Sequence, residues 1–294
     1  MSVREAYSGH ESFALRYGWL PKLYDAVADD AKLFADEDAA IARLGLGKNM
    51  VRALRFWGDA FGLLAPDGRA VHPTPLATAI LDPVHGRDRY VEKTETLWQL
   101  HWALTTRGHL GAWNVVFDEI ADPEISRRHL TNMVRQRAMR TRGEISPATL
   151  GTHVAVFLQC YAGSDQSEVV LEDTLGCPLQ ELRLCRLVEG VGDQIVRMPR
   201  GPKPGLTVAA FAHILLDHWR NRLGENRTVS LRALLHERFA PGKVLKLDEA
   251  ALLDRLEAMC RAVPSFAVRE DGVGGMHLVA LREDALSHLQ EAAA

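Results

Sequence analysis

Residues 37–73, EDAAIARLGLGKNMVRALRFWGDAFGLLAPDGRAVHP, constrain this chain more than any other stretch. A short run with apolar positions at three and four spacing (37–44) is followed by Gly45 and Gly47, which allow a sharp change of direction. A second such run covers 48–61. Two short extended pieces, Gly62–Ala65 and Ala70–Pro73, then flank the hairpin dipeptide Asp67-Gly68. Helix, tight turn, helix, hairpin is the order of a winged helix-turn-helix, whose second helix can enter a DNA major groove.

The second helix has two unlike sides. Lys48, Arg52, Arg55 and Asp59 stand at i, i+4, i+7 and i+11 and share one stripe. Met50, Leu54, Trp57 and Phe61 share the opposite one. The spacing predicts a buried aromatic face and a displayed, mostly cationic face. Lys48, Asn49, Arg52 and Arg55 are then candidate DNA contacts, the cations to phosphates or bases and Asn49 to adenine. A solvated helix face that binds another protein is the alternative. The formal net charge of −3 offers no bulk attraction to nucleic acid, so contact of that kind has to come from local patches.

A second patch lies at 127–142, RRHLTNMVRQRAMRTR. Between Glu124 and Glu144 there are six arginines and no acidic residue. Arg128, Arg135 and Arg142 repeat at seven and share a face, an arrangement that attracts phosphates unless acidic neighbours within the fold neutralise it. Arg200 and Lys203, in the Pro- and Gly-rich linker at 199–206, are placed to extend it.

Most of the remaining chain shows helical spacing, over 13–28, 90–106, 112–121, 126–141, 147–162, 177–187, 206–223, 230–237 and 248–262. Asp36, Ser146 and Asp248 stand where N-caps are expected. Strand signals are few: Glu168–Leu171, and Phe266–Arg269 with Met276–Leu281, beyond the hairpin already noted. The expected fold is mainly α: a winged-helix module over 1–84, a helical middle with the basic helix over 85–200, and a second winged-helix-like module over 201–294. The exposed positions of the last module (Glu249, Asp254, Glu257) are acidic as often as basic, which favours protein contact there over DNA.

Chemistry-bearing candidates are sparse. In Ser8-Gly9-His10-Glu11 the spacing favours a capping box; the alternative makes His10 and Glu11 metal or acid–base groups. Asp36, Glu37 and Asp38 ahead of Lys48 fit either a helix start favoured by the dipole or carboxylates holding a hard divalent cation for phosphodiester hydrolysis. Glu172-Asp173 is a second acidic pair of the same type. His101 sits on an apolar helix, where a hydrogen-bonded core histidine is expected. The four cysteines form no C-x-x-C pair, so zinc-finger spacing is absent and four reduced thiols are expected. There is no Walker A, nucleophile-elbow or H-E-x-x-H motif. No signal-peptide core or membrane-length apolar run occurs, and the expected location is the cytoplasm.

The runs SGHESFALRYGWLPKLYDAV and FADEDAAIARLGLGKNMVRALRFWGDAFGLL, with LWQLHWAL, EDTLGCPL and SLRALLHERFAPGKVLKLDEAAL further on, resemble a bacterial family of unknown-function domains, the SspB-like family. Its members accompany DNA phosphorothioate modification and anti-phage defence genes. The resemblance implies nicking of one strand of duplex DNA, with magnesium or manganese as the divalent metal. It implies a cysteine desulfurase, an ATPase and a sulfurtransferase-like protein as partners. Within the matching motifs the residues suited to that chemistry are His10, Glu11 and Glu37 as catalytic groups and Asp36 and Asp38 as metal ligands, with Lys48, Asn49, Arg52 and Arg55 on the DNA.

Overall fold

A computed structural model describes residues 4–162, 176–272 and 274–293. The protein is mainly α, and it divides into two compact units: Met1–Val116 with Glu124–Arg197, and Phe117–Pro123 with Met198–Ala294. No helix among the described residues is long and apolar enough to cross a membrane. All four thiols are free, and Cys160, Cys177 and Cys185 are buried.

The first unit opens with α1 (Trp19–Asp29), α2 (Glu37–Leu44), α3 (Lys48–Ala60) and the hairpin β1 (Leu64–Asp67) and β2 (Ala70–Pro73). The helix expected from residue 13 begins six residues later, because Gly18 adopts a left-handed φ of 75° and ends the preceding turn. Gly45 does the same after α2, at φ 61°, and reverses the chain into α3. Next come α4 (Pro75–Leu81), α5 (Thr94–Thr106) and α6 (Gly111–Asn114), which passes into a π-helical turn, Val115–Glu119. The spacing over 112–121 thus reports two short pieces rather than one helix.

The unit resumes with β3 (Glu124–Ser126), α7 (Arg127–Thr141), α8 (Pro147–Tyr161), β4 (Arg186–Glu189) and β5 (Gln194–Arg197). The three strands form one antiparallel sheet in the order β3-β5-β4. The helix expected over 177–187 is instead a 3₁₀ turn, Pro178–Leu182. Arg183 at φ 51° breaks it and β4 follows. The expected strand Glu168–Leu171 and the pair Glu172-Asp173 lie outside the described residues.

The second unit contains α9 (Val208–His218), β6 (Thr228–Ser230), α10 (Leu231–His236), α11 (Pro241–Val244), α12 (Glu249–Ala262), β7 (Phe266–Glu270), β8 (Met276–Ala280) and α13 (Ala285–Ala292). Its sheet has the order β6-β8-β7, the same first–third–second arrangement as the sheet of the first unit. In both sheets the first strand ends in a serine that caps the next helix: Ser126 accepts from His129 N–H, and Ser230 from Ala233 N–H.

The N-terminal segment is fastened inside the first unit by a buried ion pair. The Glu5 carboxylate accepts from Arg137 Nε at 3.0 Å, Asn114 Nδ2 at 3.0 Å and the Tyr7 hydroxyl at 2.8 Å. Both charges are almost sealed from water, at 5% and 9% side-chain exposure. Arg137, one of the six arginines of the basic segment, therefore serves the interior. Lys203 is also buried, in the second unit, where its Nζ donates to Pro199 O, so it does not extend a surface patch.

Candidate nucleic-acid interface

The sidedness of α3 follows the sequence. Val51, Leu54 and Trp57 are buried, while Lys48, Asn49, Arg52 and Arg55 are exposed. Three contacts fix its rotation. Trp57 is fully buried among Phe61 and Trp113, and its indole N–H donates to Phe13 O at 3.0 Å. A side chain at Gly58 would place its Cβ 2.4 Å from Leu23 of α1, so only glycine lets the two helices approach. A Cβ on Gly9, at φ 107°, would meet the Phe56 ring at 2.8 Å. The SGHESF turn thus lies against α3, through Gly9 and His10 on one side and Phe56 on the other.

On the outer face, α2 supplies a counter-charge. Asp36 caps α2, accepting from the N–H groups of Asp38 and Ala39 at 3.0 and 3.1 Å. Glu37, in the first turn, accepts from Lys48 Nζ at 2.6 Å and from Arg52 Nε at 2.7 Å. The Lys48 hydrogen bond, opposed by a smaller desolvation effect and joined by the Arg52 contact, holds the Glu37 carboxyl below the usual carboxylate range. Asp38 is exposed. Arg55 stacks over the Phe34 ring at 5.3 Å. The cations of α3 are therefore presented in fixed positions, two of them around one carboxylate.

His10 lies in the interior with 2% exposure. Its Nε2 is 3.1 Å from His153 Nδ1 on α8, and the two rings stack at 5.3 Å. The Ala112 N–H donates to His153 Nε2 at 3.1 Å, so neutral His153 carries its proton on Nδ1 and donates to His10. His10 then carries its own proton on Nδ1. The longer approach of Ser12 N–H to that nitrogen, 3.3 Å, is the contact left unmade. Burial lowers the pKa of His10 to about 4. Burial, aided by the nearby His10 charge, lowers that of His153 to about 3. The acid–base reading of His10 finds no access to solvent, and the capping-box reading finds no helix: residues 9–12 form a turn, with Glu11 and Ser12 at φ 48° and 66°. His153 escaped the sequence reading because 143 residues separate it from its partner.

The expected metal ligands do not fit a divalent ion. Asp36 is occupied as a cap, Glu37 is held by two cations, and no cluster of three or more His, Cys, Asp or Glu side chains able to hold an ion occurs among the described residues. Arg128 and Arg135 on α7, and Arg142 just past its end, are all exposed, as is Met139. The Arg128 N–H donates to Asp193 Oδ2 at 3.0 Å, which ties the start of the helix to the β4–β5 turn. His101 is a core residue, with Nδ1 2.8 Å from the Tyr161 hydroxyl.

Comparison with known proteins places the chain in a family. The family model described as "Protein of unknown function (DUF4007)" matches residues 7–292, and the chain belongs to that family. Within it the chain is SspB-like. It is similar to a solved structure described as "SspB crystal structure", at 29% identity and a TM-score of 0.84, covering 99% of this chain and 88% of that one. It is similar also to one described as "Magnesium ion-bound SspB crystal structure", at 28% identity with the same TM-score and coverage. No curated protein matches.

Proposed function

We propose that this protein is the component of a bacterial DNA phosphorothioation and anti-phage defence system that engages duplex DNA, working in the cytoplasm beside the desulfurase, ATPase and sulfurtransferase-like proteins of that system. The observation that carries this reading is the outer face of α3, where Lys48, Asn49, Arg52 and Arg55 all stand exposed on a helix locked from behind by Trp57 and Gly58. In this reading α2, the Gly45 reversal, α3 and the β1–β2 hairpin act as a winged helix-turn-helix. Lys48, Arg52 and Arg55 meet phosphates and Asn49 reaches a base edge. Arg128 and Arg135 of α7, with Arg142 just past its end, are a second phosphate-binding strip. The likeness to SspB supports the biological setting.

A second reading, strand nicking by this chain with magnesium or manganese, is favoured by the similarity to a magnesium-bound SspB. Residues 36–38 do not supply the ion's ligands, so no step is assigned to them.

Both readings meet in one experiment on a supercoiled plasmid. Binding should retard the plasmid and weaken with salt, with a log–log slope of roughly five if the three α3 cations and Arg128, Arg135 and Arg142 each meet a phosphate. The variant Arg52→Ala/Arg55→Ala should remove about two from that slope while keeping its helical circular dichroism. Conversion to open circle that needs magnesium or manganese and stops with EDTA establishes nicking. Retardation without conversion leaves a DNA-binding adaptor that recruits the other proteins. A pure, folded preparation that does neither overturns both readings.

A further inference from the structure

We infer that Glu37 is a built-in counter-ion of the α3 face: it occupies the position of a phosphate between Lys48 and Arg52 and must be displaced when a nucleic-acid backbone arrives. The inference rests on the DNA-engaging reading of α3. One carboxylate accepts from both cations, at 2.6 and 2.7 Å, and these cations stand four residues apart on the exposed stripe. A phosphate carries the same kind of acceptor oxygens and makes the same charge-assisted hydrogen bonds. The carboxylate comes from a different helix, and its own helix is fixed by the Asp36 cap, so it is held in place rather than swinging freely.

The energetics favour exchange. All three side chains are between about one third and one half exposed, at 36%, 47% and 54%. Ion pairs so exposed are weak, so a polyanion that offers several phosphates at once can replace the carboxylate. An isolated anion gains little by doing so. Glu37 thereby lowers the affinity of any anion that must displace it, and it also keeps Lys48 and Arg52 pre-positioned one helical turn apart. Glu37 therefore tunes affinity and acts through the two cations.

The test is a double-mutant cycle read by fluorescence anisotropy of a labelled duplex, at several salt concentrations, on the full chain. Glu37→Gln keeps the size and an acceptor oxygen and removes the charge. It should bind the duplex about three- to ten-fold more tightly at low salt. Asp38→Asn changes the net charge equally, one residue away, without touching either cation, and should gain clearly less. In the Lys48→Ala/Arg52→Ala background the gain from Glu37→Gln should largely vanish. Equal gains for Glu37→Gln and Asp38→Asn, or an undiminished gain in that background, would reduce the effect to overall charge and overturn the inference. If the wild-type chain binds the duplex and Glu37→Gln binds no more tightly while retaining its helical spectrum, the inference fails and the DNA reading stands. If no variant and no wild-type chain binds, the DNA reading itself fails.

Discussion

The stacked pair His10 and His153 shows what burial does to a single side chain. In the unfolded chain each ring titrates near pH 6.5. In the folded chain burial lowers His10 to about 4 and His153 to about 3. Above pH 6.5 both states keep the rings neutral and the pair adds no pH dependence. As the pH falls through 6.5, the unfolded chain takes up protons that the folded chain refuses. Stability then drops by about 1.4 kcal/mol per pH unit for each ring, until the folded values are reached. His109 and His218, both lowered to about 4 mainly by burial, act in the same direction. The urea midpoint should therefore fall steadily between pH 6.5 and pH 4, and His153→Gln should reduce that slope without abolishing it. A midpoint flat across this window would mean that the pair is not sealed from water. None of this was legible in SGHESF, where the local spacing favours a cap and leaves acid–base chemistry as the alternative. The deciding partner arrives from α8, 143 residues away. Glu37 carries the same lesson, since its role is set by cations on the next helix.

Among the elements, what the sequence revealed depended on length and on local caps. The helix starts at Asp36, Ser146 and Asp248 were legible because the cap side chain and its N–H partner lie within three residues. The two faces of α3 were legible because thirteen residues give the period room to show. The strands β3 and β6, three residues each, carry too little alternation to register. β4 was hidden because the apolar spacing of 177–187 mimics a helix, and only the left-handed Arg183 breaks it. The serines that close β3 and β6 hold a strand-to-helix corner in each unit. Ser126→Ala and Ser230→Ala should each lower stability by about 1 kcal/mol, seen as a shift of the denaturant midpoint. Glycine at the same positions should cost only a few tenths of a kcal/mol. A larger loss with glycine than with alanine would show that the side chains matter for something other than the cap.

For the molecule as a whole, a net charge of −3 is no obstacle to engaging a polyanion, because the displayed cations of α3 and α7 are local and screened from distant acids within about 10 Å at ordinary salt. The second compact unit resumes at Met198, just ahead of the Pro- and Gly-rich segment 199–206. The transfer of Phe117–Pro123 to the second unit was invisible, because that assignment depends on packing far along the chain. The first–third–second strand order also governs how the protein emerges from the ribosome. In each unit the middle strand is synthesised last, β5 at residues 194–197 and β8 at 276–280. Until β8 is released, β6 and β7 have no neighbour, and two bare edges wait to pair with whatever chain is nearby. A polypeptide ending before Met276 should therefore sediment as aggregate when one carrying β8 stays in the supernatant, so this single strand acts as the unit's own safeguard against clumping.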